Sequence, residues 1–142
     1  MVIAVIDGMG GGLGAQLITQ LAAQVGTDTE IIALGANALA TNNMVRAGAT
    51  RGATGENALR VSLRKADVIL GPIGIVIPNA MMGEITPAMA ETVASADGKK
   101  ILIPVSQSHF EIVGLESRPL VTQIREAVAR AMSMLDGQEA RT

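Results

Sequence analysis

Five glycines fall within the seven residues from Gly8 to Gly14, in the run Ile6-Asp7-Gly8-Met9-Gly10-Gly11-Gly12-Leu13-Gly14. Gly8, Gly12 and Gly14 occupy the first, fifth and seventh places of a G-x-x-x-G-x-G pattern, and Gly10, Gly12 and Ala15 satisfy the related G-x-G-x-x-A form. Glycine suits such places because it tolerates positive φ and, having no Cβ, lets a phosphate approach the backbone. An apolar stretch precedes the loop and an amphipathic one follows. The following helix would aim its free amides and positive dipole end at the same spot. The chemistry on offer is the gripping of an anion by backbone amides, with Gly8, Met9, Gly10, Gly11, Gly12, Leu13 and Gly14 as the cofactor-binding candidates.

Positioning that loop requires strands and helices in alternation, and the apolar pattern supplies them. The first strand is predicted at Val2 to Ile6, and the first helix carries Leu13, Leu17, Leu21 and Val25 at steps of four before Gly26 ends it. Glu30 to Leu34 reads as a second buried strand, after which Asn37 caps a short helix ending near Gly48. The polar stretch 49–57 reads as a connection into a helix bearing Leu59, Leu63 and Ala66. Asp67 to Leu70 is the third strand, and Ile75 to Ile77 reads as either a short strand or a buried loop. Thr86 followed by Pro87 starts a helix that runs to about Ala96. Ile101 to Val105 and Phe110 to Leu115 are predicted as the fourth and fifth strands. The last helix starts near Pro119, with an apolar stripe at Leu120, Ile124, Ala127 or Val128, Ala131 and Leu135. Continuously apolar strands alternating with helices predict an α/β fold, a Rossmann-like three-layer sandwich on a mostly parallel sheet of about five strands. The close pair of strands four and five is expected to be a local departure from parallel order. Residues 1–136 are predicted as one domain and 137–142 as a frayed tail.

In open α/β sheets ligands collect beyond the carboxyl ends of the strands. The glycine loop, the turn Gly35-Ala36-Asn37 and the turn Gly71-Pro72-Ile73-Gly74 are all predicted at that edge, which adds Asn37, Gly71, Pro72, Ile73 and Gly74 to the cofactor-binding candidates. The segment 51–57 is placed near the same edge. There Arg51 would pair with a phosphate, and Thr54 or Asn57 with a ribose or a substrate amide. A helix start capped by Thr54, with Glu56 near the dipole, explains that segment equally well. Asn79 and Glu84 mark another patch, where Glu84 beside Met81 and Met82 would be a carboxylate of raised pKa suited to proton transfer. His109, the single histidine, could work with Glu111. An exposed loop glutamate and a surface histidine are the commoner outcomes for these two catalytic candidates. Asp7 reads most simply as an acceptor for loop amides.

Composition excludes several classes. Phe110 is the one aromatic residue, so the core must be aliphatic and base stacking is absent; with a net charge of −2, nucleic acid is a poor partner. With no cysteine and one histidine, disulfides and a transition-metal site are not expected. The longest apolar run, 68–77, is far short of the roughly 20 residues that span a bilayer. Val2 opens a strand with no basic n-region, apolar h-region or cleavage site ahead of it, which predicts a cytoplasmic protein with no membrane partner. A mean hydropathy of +0.39 in so small a chain suggests self-association, with a homodimer the default.

The glycine spacing between strand and helix resembles the cofactor loop of the short-chain dehydrogenase/reductase family over the first quarter of the chain. Catalysis in that family depends on a Tyr-x-x-x-Lys pair, and this sequence has no tyrosine, which removes that dehydrogenase chemistry while leaving cofactor binding open. In dinucleotide binders an acid at the end of the second strand receives the ribose hydroxyls. Asp28 and Glu30 stand at the right count but at the strand's beginning, leaving the neutral Asn37 at the useful edge. Arg46 or Arg51 would be needed for a 2′-phosphate. A P-loop reading fails because Ala15 and Gln16 follow Gly14 where Lys and Ser or Thr are required. A methyltransferase-like loop would want an acid at Ile6, where Asp7 comes one residue late. Packing of the first helix on the sheet is the plainer alternative, but five glycines in a seven-residue turn exceed what packing alone requires.

The runs 6–14, 33–37, 51–58, 71–75 and 82–87 together resemble a family of short, bacterial, single-domain proteins of unknown function, over nearly the whole chain. That likeness implies a Rossmann-like fold and carries no known activity, substrate or catalytic residue, so it leaves the function open. The sequence therefore points to a binder of NAD, NADP or another nucleotide, acting as a sensor or accessory subunit. A small enzyme on a phosphorylated or carboxylated metabolite is the second reading, and a self-associating interaction module the third.

Overall fold

The computed structural model describes residues 1–105 and 109–139. Its elements run β1 (Val2–Asp7), α1 (Gly12–Gln24), β2 (Glu30–Gly35), α2 (Ala38–Arg46), β3 (Arg51–Thr54), α3 (Glu56–Ser62), β4 (Val68–Pro72), α4 (Pro87–Ser95), β5 (Lys99–Ile103) and α5 (Leu120–Glu139). Short 3₁₀ turns occupy Leu63–Lys65 and Ile73–Val76. The five strands form one parallel sheet in the order β3-β2-β1-β4-β5.

Alternation along each strand divides the core in two. Ile3 and Val5 of β1, Ile31 and Ala33 of β2, and Val68 and Leu70 of β4 pack with Leu17, Ile18 and Leu21 of α1, Met44 of α2, and Ile124 and Val128 of α5. Ala4, Ile6, Ile32, Leu34 and Ile69 point the other way, onto Leu59, Leu63, Met89 and Val93. Each large aliphatic side chain so buried contributes about 1.5–3 kcal/mol, which is what holds a sheet with no aromatic core in place. The caps expected from sequence form as well. Asn37 accepts from the Ala40 amide at 2.8 Å, and Thr86 accepts from Met89 at 3.1 Å with Pro87 behind it.

Several expectations are corrected. Phe110 to Leu115 is not a strand but irregular, exposed chain, and the third strand in sequence order is instead Arg51–Thr54. An edge strand needs little apolar surface, so Arg-Gly-Ala-Thr carries no hydrophobic signal, whereas the apolar 110–115 run never reaches the sheet. No antiparallel pair interrupts the order, because β5 lies at Lys99–Ile103 and pairs in parallel with β4. The segment 75–77 lies in and just beyond a 3₁₀ turn. Gly55, at φ 99°, caps α3, with no side-chain bond from Thr54. Helix α5 continues through Gly137 to Glu139, and residues 140–142 of the expected tail lie outside the described residues. No helix among the described residues is long and apolar enough to cross a membrane.

Candidate functional site

The order β3-β2-β1-β4-β5 reverses direction between β1 and β4, and in such sheets the crevice beyond the carboxyl ends at this point is where ligands bind. The glycine loop follows β1 directly into it. Asp7, the last residue of β1, is buried, and its two oxygens accept the amides of Gly8 and Gly14 at 2.8 Å each. The aspartate thus clasps both ends of the loop. Burial pushes its carboxyl above the ordinary value, the amides of Gly14 and Gly8 pull it back, and the neighbouring charge of Glu84 adds to the push.

The protein uses other loop amides itself. Gly11 donates to the Gly8 carbonyl at 2.9 Å, and Met9 donates to Glu84 Oε1 at 2.9 Å. The side chain of Asn37 reaches across from the end of β2, donating to Glu84 Oε1 at 2.8 Å and to the Met9 carbonyl at 2.9 Å. Asn43, one helical turn and a half further on, donates to the Gly10 carbonyl at 2.7 Å. The amides of Gly10, Gly12 and Leu13 have no acceptor among the described residues. Part of the loop backbone is therefore engaged by side chains, while the amides at the start of α1 are left without an acceptor among the described residues.

The glycines divide in the same way. A Cβ on Gly8 would stand 2.7 Å from Met81 Sδ and 2.9 Å from Glu84 Oε1, one on Gly11 would stand 2.8 Å from the Ala40 backbone, and one on Gly14 would stand 2.5 Å from Met44 Sδ. A Cβ on Gly10 or Gly12 would meet nothing within 4 Å. Close packing thus accounts for three glycines and leaves two unexplained by the chain itself. Gly71 belongs with the packed set, because a Cβ there would run into the Ile6 carbonyl of β1.

Glu84 arrives on an unusual turn. Asn79, Met81 and Met82 have φ of 65°, 57° and 57°, followed by Gly83 at 91°. Bonds from Asn79 to the Ile85 carbonyl, 2.7 Å, and from Ile85 to the Ala80 carbonyl, 3.2 Å, close the turn, and the buried Ile85 anchors it. Non-glycine residues held at positive φ cost of order 1 kcal/mol or more each and persist only where the surroundings dictate them.

The remaining candidates lie apart from this cluster or have other work. Arg51 opens β3 at the amino edge of the sheet, away from the crevice, and forms an ion pair with Glu30; it was expected beside the loop, but the strand carries it to the far side. Arg46 ends α2, which runs away from the carboxyl edge. Thr54 shares a 2.7 Å hydrogen bond with Thr41 and ties β3 to α2. Asn57 is exposed on the first turn of α3, and Asn79 on the strained turn. His109 and Glu111 are exposed on the irregular chain after β5. Pro72 ends β4 and Ile73 and Gly74 begin the 3₁₀ turn at the same edge. A hollow of about 740 Å³ lies elsewhere, between β5, α5 and the 112–118 segment. Asn43 is the contact that sequence reasoning missed: a polar residue on a short helix carries no mark of whether it faces solvent or a loop.

The family described as "Domain of unknown function (DUF3842)" matches residues 2–136. No curated protein matches the sequence. Among solved structures the chain is similar to the apo histidine-tagged saccharopine dehydrogenase (L-Glu forming) from Saccharomyces cerevisiae, with a TM-score of 0.48 and 17% identity. That likeness covers 75% of this chain and 22% of the dehydrogenase, so the chain spans about a fifth of that protein's length.

Proposed function

We propose, for a chain that belongs to this family of unknown function and takes no activity from it, that the protein binds a nucleotide or dinucleotide at the start of α1. It serves as a sensor or accessory subunit rather than a dehydrogenase of the tyrosine-dependent kind. The observation that carries this reading is the trio of amides at Gly10, Gly12 and Leu13 with no acceptor among the described residues, two of them on glycines whose missing Cβ atoms face open space at the switch point of the sheet. A phosphate placed there would accept several backbone hydrogen bonds and meet the positive end of α1. Titration of purified apo protein with NAD(H), NADP(H), ATP, FAD and S-adenosylmethionine, followed by thermal shift and calorimetry, is the test. Binding of at least one below millimolar concentration is expected, and none doing so would refute the reading.

Self-association is a second property favoured by a specific observation. Phe110, Ile112, Val113, Leu115, Leu120 and Val121 are all exposed, and they cluster in sequence beyond the edge strand β5. Native mass spectrometry at micromolar concentration is expected to show a homodimer; a monomer throughout would reject it.

A further inference from the structure

We propose that Glu84 is the acceptor for the ribose hydroxyls of the bound nucleotide, the task for which the end of β2 offers only the neutral Asn37. The proposal rests on the nucleotide reading above and names the ligand class more narrowly: a nucleotide with an unmodified ribose 2′-hydroxyl.

Placement is the first argument. Glu84 belongs to the crossover between β4 and β5, on one side of β1, yet its Oε1 is held by the Met9 amide at 2.9 Å and the Asn37 side chain at 2.8 Å. It therefore stands between the glycine loop and the end of β2, the two features between which a doubly wound sheet holds a ribose. Valence is the second. Only Oε1 accepts a hydrogen bond from the described residues, whereas an ionised carboxylate has about four acceptor sites. Oε2 keeps the capacity to receive hydroxyl donors from a sugar. The third argument is that sugar and phosphate would not compete, since Glu84 takes the Met9 amide and leaves those of Gly10, Gly12 and Leu13. Charge supplies the fourth. A 2′-phosphate would lie against this carboxylate, while Arg46 and Arg51, the cations expected to meet one, belong to the amino edge. NAD-type ligands are accordingly preferred over NADP-type ones.

The test compares ADP with 2′-deoxy-ADP by calorimetry on the wild type and on Glu84→Gln, which keeps an oxygen for Met9 but loses the free carboxylate oxygen. The wild type is expected to bind ADP about tenfold more tightly than the deoxy form, as a hydrogen bond to a charged acceptor implies. In the variant that gap closes, whatever the change in absolute affinity that removal of the charge brings. Equal wild-type affinities would overturn the proposal without any variant. So would a gap that survives Glu84→Gln. In each of those cases the nucleotide reading stands. No binding of either ligand to the wild type, together with a silent panel above, overturns both.

Discussion

The glycine loop at residues 8–14 and the turn at residues 79–84 meet through Glu84, and they use backbone conformation in opposite ways. In the loop, Gly10 and Gly12 sit at ordinary φ with open space around them, while the left-handed positions belong to Met9, at φ 52°, and Gly11, at 73°. In the turn, two methionines hold left-handed positions that glycine or asparagine would occupy at less cost. One region has glycine where folding does not ask for it, and the other lacks glycine where folding would favour it. Residues chosen against stability on both sides of one contact are what the proposed binding role would leave behind.

Four substitutions probe the difference between loop and turn, each read by urea denaturation and the last also by ATP binding. Gly11→Ala is expected to cost the most, about 2–4 kcal/mol, because a Cβ 2.8 Å from the Ala40 backbone adds a clash to a left-handed φ. A cost under about 1 kcal/mol would mean that the loop relaxes freely and that its packed glycines are not needed.

Asp7→Asn should cost about 1–3 kcal/mol, since an amide cannot accept from both Gly8 and Gly14. The pH dependence has a definite sign. Because burial raises the Asp7 carboxyl above 3.8, the native state binds the proton more tightly than the unfolded chain. Its contribution is therefore largest below the unfolded value and falls as pH rises through the folded one. The stability gap between wild type and variant should shrink as pH rises from about 4, and a gap that widens would contradict the burial argument.

Met82→Asn is expected to raise stability by about 0.5–1 kcal/mol, because asparagine tolerates the left-handed region and Met82, 94% exposed, has little packing to lose. A loss would show that the turn is not strained. Smallest on stability is Gly12→Ala, expected to change it by no more than about 0.5 kcal/mol, while ATP affinity falls at least tenfold as the Cβ enters the phosphate's space. Retention of full affinity would leave that open glycine without a purpose.

How much of this was legible in the chain depends on how local the cause is. Asn37 and Thr86 as caps, the strand before Gly8 and the stripe of α5 all follow from residues within a few positions of one another. Glu84 was visible as a candidate, but as a proton-transfer group, with no sign that Met9, 75 residues earlier, would hold it. Arg51 was drawn to the crevice because its neighbours Thr54 and Gly55 belong there, and a four-residue strand was enough to separate them.

The order of apolar and polar residues along the chain determined that strands and helices alternate, that the core is aliphatic, and that a glycine turn stands between β1 and α1. Those are properties of single segments, set by periodicity, propensity and capping. Tertiary structure alone decided that Arg51–Thr54 rather than Phe110 to Leu115 joins the sheet, and which glycines are packed and which are open. It also brought a carboxylate from beyond β4 to the loop after β1. Such outcomes depend on which strands lie side by side, and that is settled by the packing of all the segments against one another.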